Sequence, residues 1–256
     1  MNVLEALNSR FTCRAFKPDP VNRVIILQIM ENAIRSPSWA NTQPWEIYIA
    51  GGDVLESIKE GYMKSFKSDV TIDPDIPFMS DWPVQHQERM KELGIKLYKH
   101  IGISKGDKEA IEASWKLNFK LFGAPIVIYL CMHATLSEWS MFDLGSLSQS
   151  IMLAAQEYGI DSAPAVNLVA YPNIIRKEIK IPDELSIVLG IALGYKDIES
   201  SQNTFRTMRR PLDEIVRLNG IWNLYMFINQ KKIVDIGGVY YGCFKSNRSS
   251  KKYKKI

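Results

Sequence analysis

Cysteine and histidine are both scarce in this sequence, three of each in 256 residues, and neither kind gathers. Cys13, Cys131 and Cys243 lie far apart with no CxxC pair among them, which speaks against a zinc ribbon or an iron–sulfur cluster built by one chain. An odd count also speaks against a disulfide framework and fits a reducing compartment. His86, His100 and His133 are equally scattered. A metal centre or a histidine-based triad therefore gets no support, and each histidine reads as a solvent or core position.

Long apolar runs are missing as well. The opening MNVLEALNSRFTCR has no apolar core followed by a small-residue cleavage site. The longest uncharged stretch, residues 121–137, contains Gly123, Pro125 and His133; it reads as a buried strand with its turns rather than a membrane span. The expectation is a cytoplasmic protein with no membrane partner. No GxGxxG turn occurs, so a dinucleotide cradle of that kind is not expected. The body also lacks excess charge. The net charge is +4, but the last twelve residues, KSNRSSKKYKKI, hold six Lys or Arg and no acid. Without those six charges the net value is −2, so nucleic acid is not an expected partner of the body.

What is present is ordinary globular material, 46% hydrophobic and 23% charged, too apolar for disorder. VLEALNSR reads as a short helix. Ile25, Ile26, Ile29, Met30, Ala33 and Ile34 recur at helical spacing after Asn22, a natural N-cap, and the run ends before Pro37. Trp45, Ile47 and Ile49 alternate as in a strand that Gly51-Gly52 ends. Helices are expected over 53–66, 85–100, 108–121 and 141–158, strands over 124–132 and 185–191, and a last short helix over 211–218. Pro74, Pro77 and Pro83 mark a long connection that reads as surface and lid-like. Three or four strands among many helices give the α+β class.

Three polar constellations stand out. Arg10, Thr12 and Arg14 share one irregular turn, with Lys17 following; arginine forks match phosphate oxygens and a hydroxyl adds a donor. A solvated basic turn reads equally from this stretch alone. Pro37-Ser38-Trp39-Ala40-Asn41-Thr42-Gln43-Pro44-Trp45 holds two amide side chains between prolines that fix the backbone, which suits the edge of a flat heterocycle; it also suits a plain helix-to-strand loop. Arg206, Arg209 and Arg210 precede a helix start that carries Asp213 and Glu214; an exposed basic turn is the bland alternative.

Taken in order, these pieces resemble the nitroreductase family. The resemblance rests on R-x-[ST]-x-R near the start, PSxxNxQPW some 25 residues on, FGAPIVI, DLG, MLAA with YGI, GIALGY, and R-x-x-R-x-P-L-D-E. It runs from about Leu4 to Gly220. It implies an α/β sandwich with a central mixed sheet, a long apolar helix at a homodimer interface, and FMN there, each site built from both chains. It further implies that Arg10, Thr12, Arg14, Arg206 and Arg209 meet the phosphate and ribityl end. Pro37, Ser38, Asn41 and Gln43 would lie along the ribityl and ring, and Pro164 and Ala165 would approach the ring face. No side-chain catalyst is implied, because flavin accepts the hydride itself. NADH or NADPH would be the donor and a small organic molecule the acceptor, taken in turn. Enone reduction, dehalogenation, dehydrogenation and a flavin-holding or redox-sensing role remain alternatives on the same scaffold.

Three positions depart from the family pattern: Phe11 replaces a polar or basic residue, Trp39 replaces a small one, and no glycine follows Pro164. The expected division is a domain over 1–220 and an extension over 221–256, aromatic at first and then a basic, disordered tail.

Overall fold

The computed structural model describes residues 1–221. Contacts divide the chain into two units, Met1–Thr207 and Met208–Ile256. The expectation for the disordered tail and for the aromatic stretch before it lies outside the described residues.

The first unit is built on a four-stranded sheet in the order β1-β2-β4-β3: β1 is Glu46–Gly51, β2 is Ile126–His133, β3 is Asp161–Ala165 and β4 is Leu185–Gly194. All three strand pairings are antiparallel. Against the mixed sheet implied above, the parallel pairing among the described residues is one isolated bridge, Thr12 to Ser162, outside the named strands. Sequence alternation does not report strand direction, so the difference was not readable beforehand. Pro164 and Ala165 lie on the edge strand β3, which the sequence pattern did not mark as a strand.

Side-chain alternation on β2 explains why both faces are covered. Val127, Tyr129 and Cys131 belong to one core cluster; Ile128, Leu130 and Met132 belong to the other. The first face packs under α3 (Gly52–Lys67) and α7 (Pro172–Ile179), through Leu55, Ile58, Tyr62 and Ile175. The second packs under α2 (Arg23–Ala33) and α6 (Glu138–Glu157), through Ile26, Ile29, Leu144, Leu147 and Ile151. The register of β4 against β2 passes over Val188, between Leu189 and Ile187. Such a bulge turns the following side chains over, which is why Ile187 and Ala192 reach the same core despite opposite parity.

The helix ends follow local chemistry. Asn2 and Glu5 form a reciprocal capping box on α1 (Val3–Ser9). Asn22 accepts the Val24 N–H at 2.8 Å, as expected of a cap. Helices α4 (Val84–His100) and α5 (Lys108–Phe119) follow the proline-rich connection. That connection is pinned rather than loose. Arg176 donates to both oxygens of Asp75, at 3.1 and 2.7 Å, and Asp75 Oδ2 also accepts the Ile187 N–H at 2.7 Å. Gly190 lies where β4 meets the turn Val166–Val169; a Cβ there would stand 2.3 Å from Leu168 Cβ. In the second unit, α8 spans only Leu212–Ile215, shorter than the expected 211–218, because Val216 turns extended (φ −108°, ψ 131°).

Candidate functional site

The first basic turn follows α1 directly. Arg10 caps that helix, its N–H donating to Ala6 O at 3.1 Å. The chain then runs along the outer edge of β3, where Thr12 bridges Ser162 and the Cys13 N–H donates to Ser162 O at 2.9 Å. Thr12 is thereby tied to the strand that carries Pro164 and Ala165. Asn203 fixes the same turn from the other side. Its carbonyl accepts the Arg14 N–H at 2.8 Å, and its amide donates to Ala15 O and Asp197 O at 2.7 and 2.8 Å. Asn203 is buried and uses its whole amide, which is what a buried amide requires.

Arg206 joins this group through an unforeseen contact. Its guanidinium lies 3.8 Å from the centre of the Phe11 ring and donates to Asn203 O at 2.7 Å. Phe11, which departs from the family pattern, is thus the surface on which the cation rests. Lys196 Nζ stands 5.8 Å from the same ring and 3.5 Å from buried Asp161. Arg14 is half-buried. Burial lowers its pKa from the ordinary arginine value, with nearby Cys13 opposing. Its side chain donates to Thr12 O at a long 3.4 Å and lines a cavity of about 390 Å³ with Tyr98, Trp115, Asn118, Asn167 and Gln202.

Arg209 lies in the second unit, its side chain donating to Met208 O at 3.5 Å. Residues 1–207 therefore gather Arg10, Thr12, Arg14, Pro164, Ala165 and Arg206, the last of these within a few residues of the unit boundary.

Pro37, Ser38, Asn41 and Gln43 form a second group elsewhere. Ser38 Oγ accepts the Gln43 N–H at 3.0 Å, and Gln43 Nε2 donates to Asn41 O at 3.4 Å. Ala40, Asn41 and Gln43 all have positive φ, 49°, 57° and 48°. Such strain in non-glycine residues persists where surroundings enforce it. Here the enforcement comes from α6. The Trp39 N–H donates to Asp143 Oδ2 at 3.1 Å, and Ser36 Oγ meets Ser150 Oγ at 2.7 Å. Trp39 leans on Trp139, ring centres 6.2 Å apart and planes at 66°.

The two groups meet different ends of α6. Trp39 is held at Asp143, while Ser9, next to Arg10, touches Gln156 at 3.2 Å. At about 1.5 Å per residue those two contacts are roughly 20 Å apart along the helix.

Sequence reading missed Asn203, Asp143, Trp139 and the use of Phe11. Asp143 was visible only as part of a motif, and nothing local marks an acid on an apolar helix as a loop anchor. A polar residue three positions before Arg206 was the available signal for Asn203. Among the described residues, no cluster of three or more His, Cys, Asp or Glu could hold a metal, and no helix is long and apolar enough to cross a membrane.

The model of the Nitroreductase family matches residues 7–195. A 4-nitrobenzoate reductase of Pseudomonas putida is 30% identical over 201 residues, covering 78% of this chain and 88% of that protein. The crystal structure of an FMN and NADPH-dependent nitroreductase, NfnB, from Sphigopyxis sp. strain HMH is 28% identical with a TM-score of 0.82, covering 86% of this chain and 100% of that one. That of the FMN-dependent NfnB of Mycobacterium smegmatis in complex with NADPH is 27% identical with a TM-score of 0.80, covering 84% and 97%. By fold and by the family model alike, this chain belongs to the nitroreductase family.

Proposed function

We propose that this protein is an FMN-dependent oxidoreductase that takes hydride from NADH or NADPH and reduces a small organic acceptor, a nitroaromatic or a quinone, in alternating half-reactions. The observation that carries the reading is the group around β3. Among the described residues the half-buried guanidinium of Arg14 makes a single long backbone contact beside a cavity, and a second, Arg206, is stacked in place on Phe11. A half-buried cation with so little internal compensation favours an anionic ligand, and the phosphate of FMN meets that need. Relatives named for FMN, NADPH and nitrobenzoate support the choice of cofactor, donor and acceptor class.

When bound, FMN supplies a ring that accepts and returns hydride. The chain's own residues bind and orient. Arg10, Thr12, Arg14 and Arg206 would hold the phosphate and ribityl end, Arg209 is assigned to it from the resemblance alone, and Pro164 and Ala165 would back the ring. Pro37, Ser38, Asn41 and Gln43 would present backbone and amide groups to its edge. For a nitroaromatic the overall change is R–NO2 + NAD(P)H + H⁺ → R–NO + NAD(P)⁺ + H2O.

The separation of the two groups along α6 supports a homodimer. A two-fold pairing would set the β3 group of one copy against the Trp39 loop of the other. The α1 and α2 part of the α6 layer also exposes Leu4, Leu7, Val24 and Leu27, at 60, 47, 59 and 55%, apolar surface that a partner would cover. We keep a domain over 1–220, an extension over 221–256 and a place in the cytoplasm as parts of this reading. The test is the visible spectrum of the purified protein, followed by NADH and NADPH oxidation with a nitroaromatic. Bleaching by reduced nicotinamide and recovery on adding acceptor is expected. A yellow protein that fails to turn over would favour the flavin-holding alternative.

A further inference from the structure

We propose that the concavity formed by Pro37, Ser38, Trp39, Trp139, Phe142 and Asp143 seats the organic acceptor and selects uncharged aromatic rings over aromatic carboxylates. It rests on the oxidoreductase reading above and adds a substrate preference to it.

The concavity has a volume of about 510 Å³, within the range of roughly 300–1,000 Å³ usual for small-ligand sites. Its walls are aromatic and uncovered. Trp39, Trp139 and Phe142 are 66, 65 and 70% exposed, although such side chains are the ones a fold ordinarily buries. The tilted Trp39–Trp139 pair forms two sides of a slot for a flat ring, and a third ring can join it by edge or face contact. Trp39 is held outward by the loop with three left-handed residues and by its N–H bond to Asp143. Considerable backbone strain is spent to keep an indole in solvent, and a ligand for that indole gives the strain a use.

The charge of the site decides which ring. Asp143 is the one ionisable side chain among the six lining residues and is 5% exposed. Among the described residues its carboxylate pairs with no Lys or Arg; it accepts the Trp39 N–H at 3.1 Å. The start of α6 would attract an anion, but Glu138 occupies that first turn and opposes it. A second carboxylate brought within several ångström of Asp143 in a partly desolvated slot would be repelled. A neutral ring is not. Ser38 Oγ accepts from Gln43 N–H and keeps its own hydrogen for an acceptor oxygen such as that of a nitro group.

The test compares nitrobenzene with 4-nitrobenzoate on the full-length yellow protein. Calorimetric binding to the oxidised protein and kcat/KM under NADH or NADPH are both read. The wild type should prefer nitrobenzene by about tenfold or more. Asp143→Asn, which keeps an acceptor for the Trp39 N–H, should narrow that ratio about tenfold. Trp39→Leu and Trp139→Leu should each raise the nitrobenzene Kd several-fold. Equal or better binding of 4-nitrobenzoate to the wild type, or an unchanged ratio in Asp143→Asn, overturns the proposal. So do tryptophan variants that dissociate the oligomer while binding nitrobenzene normally, because the pocket is then a contact between copies. A colourless wild type would overturn the flavin reading instead, and the two failures are told apart because calorimetry needs no flavin.

Discussion

Arg14→Ala should weaken FMN binding far more than Lys17→Ala. Charge-assisted bonds from a half-buried guanidinium contribute roughly 1.5–3 kcal/mol each, about ten- to a hundredfold in Kd, whereas an exposed lysine contributes about 0–1 kcal/mol. Arg10→Ala and Arg209→Ala should resemble Arg14→Ala, and equal Kd values across the set would remove the phosphate assignment. Phe11 supplies a sharper test of geometry. Phe11→Ala should loosen FMN a few-fold, the worth of an exposed cation–π contact of about 0.5–1 kcal/mol, with Phe11→Tyr restoring it. In an Arg206→Ala background the same change should do nothing; an additive result would mean that Phe11 acts elsewhere. The cysteines make a pH prediction. Burial pushes Cys13 and Cys131 from an ordinary 9.0 up to about 12. Both thiols stay protonated in the fold, so the unfolded chain ionises first. Their contribution to stability is full below pH 9 and is lost as pH rises towards 12. Iodoacetamide at pH 8 should leave both unlabelled in the native protein by peptide mapping, and Tm should fall by several degrees between pH 8 and 10.5. Labelling at native pH 8, or a flat Tm, would contradict the burial.

At the scale of elements, legibility followed period. Helices with an apolar stripe and a cap, such as α2 after Asn22, were readable within a residue or two, because capping and spacing are local. β2 was readable as a buried run. β3 was not. Its five residues, Asp161–Ala165, contain Pro164 and too little alternation to mark a strand, and its pairing is set by β4 and by the Thr12 bridge, both remote in sequence. The antiparallel sense of the sheet and the bulge at Val188 were invisible for the same reason: pairing is tertiary. β3 and the turn after it are nevertheless what place Pro164 and Ala165. Gly190→Ala tests that placement. Its Cβ would stand 2.3 Å from Leu168 Cβ, so backbone must shift at a cost of about 1–3 kcal/mol. Tm and FMN affinity should fall together. A variant as stable as wild type would show that the turn yields freely.

For the whole molecule, the polar constellations were legible as residue types and their grouping was not. Sequence order places Arg10 near Pro37; α6 puts their loops at its opposite ends. That is the strongest reason for expecting two chains per site. Light scattering should therefore give a dimer that holds two flavins, and a monomer that retains its flavin would contradict the composite site. Everything else depends on the cofactor, and the most direct measurement is the cofactor itself: the absorbance spectrum of the purified full-length protein before and after heat denaturation, with the released chromophore identified by mass. The account predicts a yellow protein that releases FMN, about one per chain. A colourless protein that cannot be reconstituted with FMN, or one that releases FAD, would contradict it.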